Sequence, residues 1–295
     1  MVESELAAEF NGLLQRSAVS HKGDYGRLLF IGGSCTMPGA IALSAMAALR
    51  SGAGLVTVAT AATVHSIVAG FDPCVMTIPL PCSATGTIEE DADSLSQFVG
   101  PLEKYDVIAV GPGLGKSAEL ASLVYDLYEK VPVPLIVDAD GLNLLASDSG
   151  GLPVPGGSRV LTPHTGEFVR LLQNNHPSVN IDRVSTRDDL ELAAVELATK
   201  SQSVIALKGN ATFVTDGTIK WHNKTGNAGM ASAGSGDVLT GVIAALIGQG
   251  IDVCDAVRFG VQVHGCAGDL AAAELGMVSM TAVDIIDFLS IAFQQ

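Results

Sequence analysis

The sequence predicts an α/β fold, a three-layer α/β/α sandwich with a central, mainly parallel sheet. Two observations carry the layered architecture and a third places its binding edge. Short runs of Val, Ile and Leu recur along the chain and are continuous rather than alternating, as in strands covered on both faces. Stretches with apolar residues at helical spacing stand between most of them, the order expected of a parallel sheet with helical crossovers. The 33 glycines of this 295-residue chain gather just after the apolar runs, where a strand exit must turn tightly or approach a ligand closely.

In chain order, residues 27–31 read as the first strand, ending in Gly32 and Gly33. Residues 40–51, rich in Ala, Leu and Met, read as a helix that stops at Gly52. Strands are expected at 55–59, 106–110, 134–137, 159–162, 203–207 and 212–215, and helices at 118–130, 187–200, 237–247 and 255–274. Residues 1–20 read as an amphipathic helix or a loose arm. There is no internal repeat, and residues 153–157 form a loop too short for a linker, so 1–295 is expected to be a single domain.

Composition narrows the function classes. Hydrophobic residues at 48% and charged residues at 16% predict a large core and argue against disorder. A net charge of −15 disfavours nucleic acid as a partner, since a basic face would be needed. It does not disfavour nucleotides, which loop amides and helix N-termini hold. Mean hydropathy is +0.40, yet every apolar run is interrupted by Gly, Pro or charge before spanning length, so no membrane partner is expected. The first residues lack the basic-then-apolar order of a secretion signal, and the five cysteines form no CxxC pair. Both point to a cytoplasmic protein with reduced thiols.

Ligands of open α/β sheets bind beyond the carboxyl ends of the strands, so the strand exits hold the candidates. The strongest is the run of small residues from Thr225 to Gly236 that leads into Asp237 and an apolar helix. The amides of Gly234, Ser235 and Gly236 would form an anion hole at that helix's N-terminus. Asp237, in the first turn, would be the catalytic base for a hydroxyl attacking a phosphoryl group. The same pattern also fits an aspartate that merely caps a helix. Lys208, Gly209, Asn210, Ala211 and Thr212 join two apolar strands and read either as an ordinary Gly-Asn turn or as a nucleotide-facing loop. Residues 110–117 tempt a P-loop assignment and fail it, because Gly111 and Gly115 enclose three residues rather than four. Gly113 is retained as a position of close ligand approach. Asp138 and Asp140 at another exit could orient a Mg²⁺–water shell or a substrate hydroxyl, and Asn143 reads equally as a helix cap. His164 and Glu167 follow a further strand. The remaining histidines have no motif around them and are given no role.

Taken in order, Gly33-Ser34, Gly39-Ala40, the 111–115 glycines, Asp138 to Asn143, Thr162 to Glu167, Lys208 to Thr212 and Gly234 to Asp237 resemble the NAD(P)H-hydrate dehydratase family over nearly the whole chain. The resemblance implies the ribokinase-like fold and an enzyme of metabolite repair, a hydro-lyase. It implies that the S epimer of hydrated NADH or NADPH is dehydrated at the expense of ADP or ATP, with Mg²⁺ carried through phosphates and waters. It implies that Ala40, Gly113, His164 and Asp237 contact the hydrated dinucleotide. Lys208, Gly209, Asn210, Ala211, Thr212 and Gly236 would contact the adenine nucleotide, with Asp138, Asn143 and Glu167 in support. The expected assembly is a homo-oligomer, a tetramer or larger. Many relatives carry a fused epimerase domain, for which this chain is too short. It departs from the family pattern at Met37, where Tyr is common, at Ala228, where Pro is, and at Ala233, where Gly is. A small-molecule kinase of the same superfamily and a non-catalytic nucleotide-binding regulator are the competing readings.

Overall fold

The computed structural model describes residues 16–89, 91–147, 150–175 and 186–295. Most of the expected N-terminal helix or arm, and His176, lie outside the described residues. The strands are β1 (Arg27–Ile31), β2 (Leu55–Ala61), β3 (Met76–Leu80), β4 (Val107–Val110), β5 (Leu135–Val137), β6 (Arg159–Leu161), β7 (Ser203–Leu207), β8 (Phe213–Thr215) and β9 (Trp221–His222). The helices are α1 (Pro38–Arg50), α2 (His65–Ala69), α3 (Ala92–Val99), α4 (Ala118–Lys130) and α5 (Asp140–Leu145). They continue with α6 (Thr165–Asn175), α7 (Arg187–Ser201), α8 (Ser235–Gly248), α9 (Val253–Leu275) and α10 (Ala282–Ala292).

All nine strands form one sheet in the order β3-β2-β1-β4-β5-β6-β7-β8-β9, parallel from β3 to β7 and antiparallel across the last two pairings. Successive strand residues go to opposite cores. Leu28 and Phe30 of β1 join one cluster with α1, α8, α9 and α10, while Leu29 and Ile31 join the other with α3, α4, α6 and α7. That split explains the unbroken apolar runs: both faces are covered, so neither parity has to be polar. Each buried Val, Leu or Ile contributes about 1.5–3 kcal/mol. The three-layer expectation is met.

The differences from expectation are local. Helix α1 begins two residues early because Pro38 suits the first turn, and it ends at Arg50, with Ser51 as its C-cap and Gly52 left-handed at φ 97° just beyond. Strand β3 was missed because it is an edge strand, with Pro79 next to its last residue and residues largely outside the core. The short β9 and the helices α2, α3, α5, α6 and α10 were also missed.

Candidate active site

The chain reverses its order of strand addition between β1 and β4, and the glycine loops there interlock. The amide of Gly33 donates to Pro112 O at 3.0 Å. Gly113 is left-handed at φ 63°, and a Cβ on it would stand 3.0 Å from Ala40 Cβ. Ala40 and Gly113 are therefore neighbours at the switch point of the sheet. One turn along α1, Ser44 Oγ donates to the backbone oxygen of Asp237 at 2.8 Å, which ties this pair to the head of α8.

Asp138, at the exit of β5, is 1% exposed. Its two oxygens accept from Lys208 Nζ and Thr240 Oγ1, each at 2.7 Å. Ala139, the next residue, has φ 51° and ψ −118°, a backbone that costs a residue with a Cβ on the order of 1–3 kcal/mol. It lets two carboxylates two residues apart serve different partners, for Asp140 Oδ2 accepts from the Gly115 amide at 3.0 Å. At the exit of β6, Glu167 Oε2 accepts from the His164 amide at 2.9 Å. His164 Nδ1 accepts from the amides of Gly166 and Glu167 at 2.9 and 3.3 Å. With both donors on Nδ1, the ring proton belongs on Nε2, which faces Glu167 Oε1 at 3.3 Å.

Helix α8 starts from Gly234, left-handed at φ 91°, where a Cβ would stand 2.5 Å from Leu43 Cδ1. Only glycine fits there. Asp237 is thus not the cap but the third helical residue, beside amides that lack an intrahelical carbonyl. A Cβ on Gly236 would stand 3.1 Å from Lys208 Nζ, so the lysine ammonium lies directly under the anion hole. The helix dipole favours an ionised Asp237. Burial and then the neighbouring Asp138 outweigh it, and its pKa is pushed up to about 7. Burial likewise raises Glu167 to about 7. For Lys208 burial opposes the charge, but Asp138, Glu167 and Asp237 together prevail and hold it above the usual lysine value. Burial, then Lys208, lowers His164 and keeps it neutral.

These groups open onto a cleft of about 800 Å³. Asp138, His164, Lys208, Gly209, Asn210, Thr212, Gly234, Ser235, Gly236 and Asp237 line it, as do the 223–232 loop and His264. Glu167 sits behind His164. Ala211 is not among the lining residues; its carbonyl accepts from Arg187 Nη2 at 3.3 Å, and the same group donates to Leu207 O at 2.8 Å, bracing the β7–β8 turn. Asn143 lies within α5, donating to Ala139 O at 3.1 Å and accepting from Arg170 Nε at 2.8 Å, and does not line the cleft. Of the departures, Ala228 opens a short turn that Asn227 closes by accepting the Gly229 amide at 2.9 Å. Ala233 has no positive φ, so alanine fits it without backbone strain.

Sequence reasoning missed Thr240, Ala139 and His264. Thr240 was visible as a lone polar residue in an apolar helical run, three positions beyond Asp237. His264 stands in a continuous helix beside Gly265 and Gly268, and glycines in mid-helix mark a close approach. For Ala139 there was no signal, since alanine gives no hint of a left-handed backbone.

Residues 28–290 match the family model described as NAD(P)H-hydrate dehydratase. The chain is 46% identical over 279 residues to the bifunctional NAD(P)H-hydrate repair enzyme Nnr of Moorella thermoacetica, covering 94% of this chain and 51% of that protein. It is 38% identical over 282 residues to the Escherichia coli enzyme of the same name, covering 94% and 49%. The chain thus spans about half the length of the curated relatives it matches. Among solved structures, the ADP/ATP-dependent NAD(P)H-hydrate dehydratase of Bacillus subtilis, co-crystallised with ATP and Mg²⁺, superposes with a TM-score of 0.78 at 29% identity, covering 98% of this chain and 96% of that one. A hydroxyethylthiazole kinase from Pyrococcus horikoshii shares the fold at a TM-score of 0.61 and 13% identity.

Proposed function

The chain belongs to the NAD(P)H-hydrate dehydratase family, and from that premise we propose that it dehydrates the S epimer of hydrated NADH and NADPH, driven by ADP or ATP. The observation that carries this reading is Asp237. It is a carboxylate with a pKa near 7, at the head of a helix, above a half-buried lysine and beside a nucleotide-sized cleft.

Hydroxide is a poor leaving group, so the C6 hydroxyl of the hydrated ring has to be converted first. Asp237 accepts its proton, and the oxygen attacks the terminal phosphoryl of the nucleotide, whose bond to the bridging oxygen breaks to release AMP from ADP or ADP from ATP. The amides of Gly234 to Gly236, with the Lys208 ammonium beneath them, stabilise the charge that develops on the transferring group. Phosphate then leaves C6 with help from the ring nitrogen's electron pair, and loss of a C5 proton restores the dihydropyridine. The turn 208–212 would hold the nucleotide, and Ala40, Gly113 and His164 the hydrated ring and its ribose side. Among the described residues no three His, Cys, Asp or Glu side chains converge as a metal cage. Mg²⁺ would be carried on the phosphates and waters and would neutralise phosphate charge when bound. The reading carries with it a cytoplasmic setting and a homo-oligomer of four or more copies, which sedimentation can check. No helix among the described residues is long and apolar enough to cross a membrane.

The test is to incubate the protein with hydrated NADH and either ADP or ATP and to follow the return of dihydronicotinamide absorbance. Recovery dependent on nucleotide and abolished in Asp237→Asn is the expected result. Phosphorylation of a thiazole or pyrimidine alcohol without any such recovery would replace dehydration by a kinase reaction.

A further inference from the structure

Behind the anion hole stands a histidine that the reaction above does not use. His264 of α9 is 8% exposed, and its Nε2 lies 3.5 Å from Oγ of Ser235, the first residue of α8. The same stretch of α9 shapes the opposite lip of the cleft. A side chain at Gly265 would collide with Thr225, and one at Gly268 with Met230. Asp269 accepts from the Gly226 amide at 2.8 Å and from Asn227 Nδ2 at 3.0 Å. The 223–231 loop is thus pressed against α9 by the glycines, whereas the head of α8 meets α9 through His264.

We propose that His264 is a positioning residue: it holds the Ser235 hydroxyl and so fixes the Gly234–Gly236 turn, aiming the anion-hole amides before a phosphoryl group arrives. The assignment rests on reading the cleft as a phosphoryl-transfer site. Chemistry explains the residue type. A cation there would add to the Lys208 charge in a dry wall, whereas burial, and Lys208 itself, keep this imidazole neutral, its pKa down at about 4. Neutral, it offers one donor and one acceptor on a rigid ring. An aliphatic residue of similar size would fill the space and leave a buried hydroxyl without a partner. Fixing the donors in advance is what makes such a hole effective, because no reorganisation remains for the moment of reaction.

The test compares ADP with adenosine in binding titrations without hydrated cofactor, for the wild type, His264→Leu, His264→Gln and Ser235→Ala. His264→Leu and Ser235→Ala are each expected to weaken ADP about tenfold while adenosine stays within about twofold, the scale of one lost hydrogen bond acting on the phosphates alone. Their combination should be no worse than either. His264→Gln, which keeps a donor and an acceptor, should restore most of the loss. In turnover, His264→Leu should lower kcat and leave KM for the hydrated cofactor in place. Equal weakening of ADP and adenosine, or no weakening of either, overturns the assignment, as does Gln behaving like Leu. If His264→Leu does not fold, Ser235→Ala probes the same contact from the other side. Selective ADP loss in a protein that never repairs hydrated cofactor would sink the dehydratase reading and leave His264 standing.

Discussion

Two cations, one buried and one half-buried, lie at opposite ends of β6 and β7 and are treated in opposite ways. Arg159, at the amino end of β6, is 1% exposed and is satisfied entirely by backbone carbonyls: Tyr128 O at 2.8 Å, Val131 O at 2.6 Å, Ser158 O at 3.0 Å and Val133 O at 3.2 Å. Its guanidinium also lies over the Tyr128 ring, 5.4 Å from the centroid. With neutral partners burial dominates, and its pKa falls to about 10. Lys208, at the carboxyl end of β7, is surrounded by Asp138, Glu167 and Asp237, and its pKa rises. Burial of a charge therefore does not mark function. An excess of carboxylates around one cation, left partly protonated and open to a cleft, does.

The comparison is broken most severely at Asp237. Replacing it with Asn should lower turnover by ~10³-fold while ADP binding is retained, because removing a general base costs on the order of 10²–10⁴. Single-turnover kinetics with bound ADP check this. Next, Lys208→Met removes the cation that pairs with Asp138. Turnover should fall by ~10²-fold, the scale of one lost electrostatic donor. Stability should fall too, by about 3–5 kcal/mol in urea unfolding, because the carboxylate is left buried. Arg159→Met sharpens the contrast from the other side. It should cost on the order of 3 kcal/mol of stability by orphaning several carbonyls, with the activity of each folded molecule unchanged.

The pH predictions are smaller. Proton acceptance needs ionised Asp237, whose pKa stands near 7, so kcat/KM should fall about tenfold per unit as pH drops below 7 and level off above it. For stability the sign is the reverse. A carboxyl whose folded pKa is raised favours the folded state fully at or below the unfolded pKa, near 4, and that advantage is lost as pH rises to about 7. Asp237→Asn should therefore melt higher than wild type at pH 8, by roughly 2–4 °C for about 1 kcal/mol in a chain of this size, and the gap should close toward pH 4. A gap independent of pH would show that the carboxylate is not strained by its surroundings.

The fold and the parts of the site carried by backbone chemistry were legible in the sequence. Continuous apolar runs report strands covered on both faces, and they placed β1, β2 and β4 to β8 within about two residues at most ends. Glycine at 234 and 236, the turn at 208–212 and Asp237 were legible because their chemistry is local: a left-handed cap, a tight turn, a helix head. What only the tertiary structure decided was which charges meet. Lys208 and Asp138 are 70 residues apart in the chain, Asp138 and Thr240 102, and Ser235 and His264 lie on different helices. None of these pairings has a local pattern. Burial shifts carboxylate pKa values only once α8 and the strand exits have closed on one another, so the poise of Asp237 is a property of the assembled cleft and is written in no single segment.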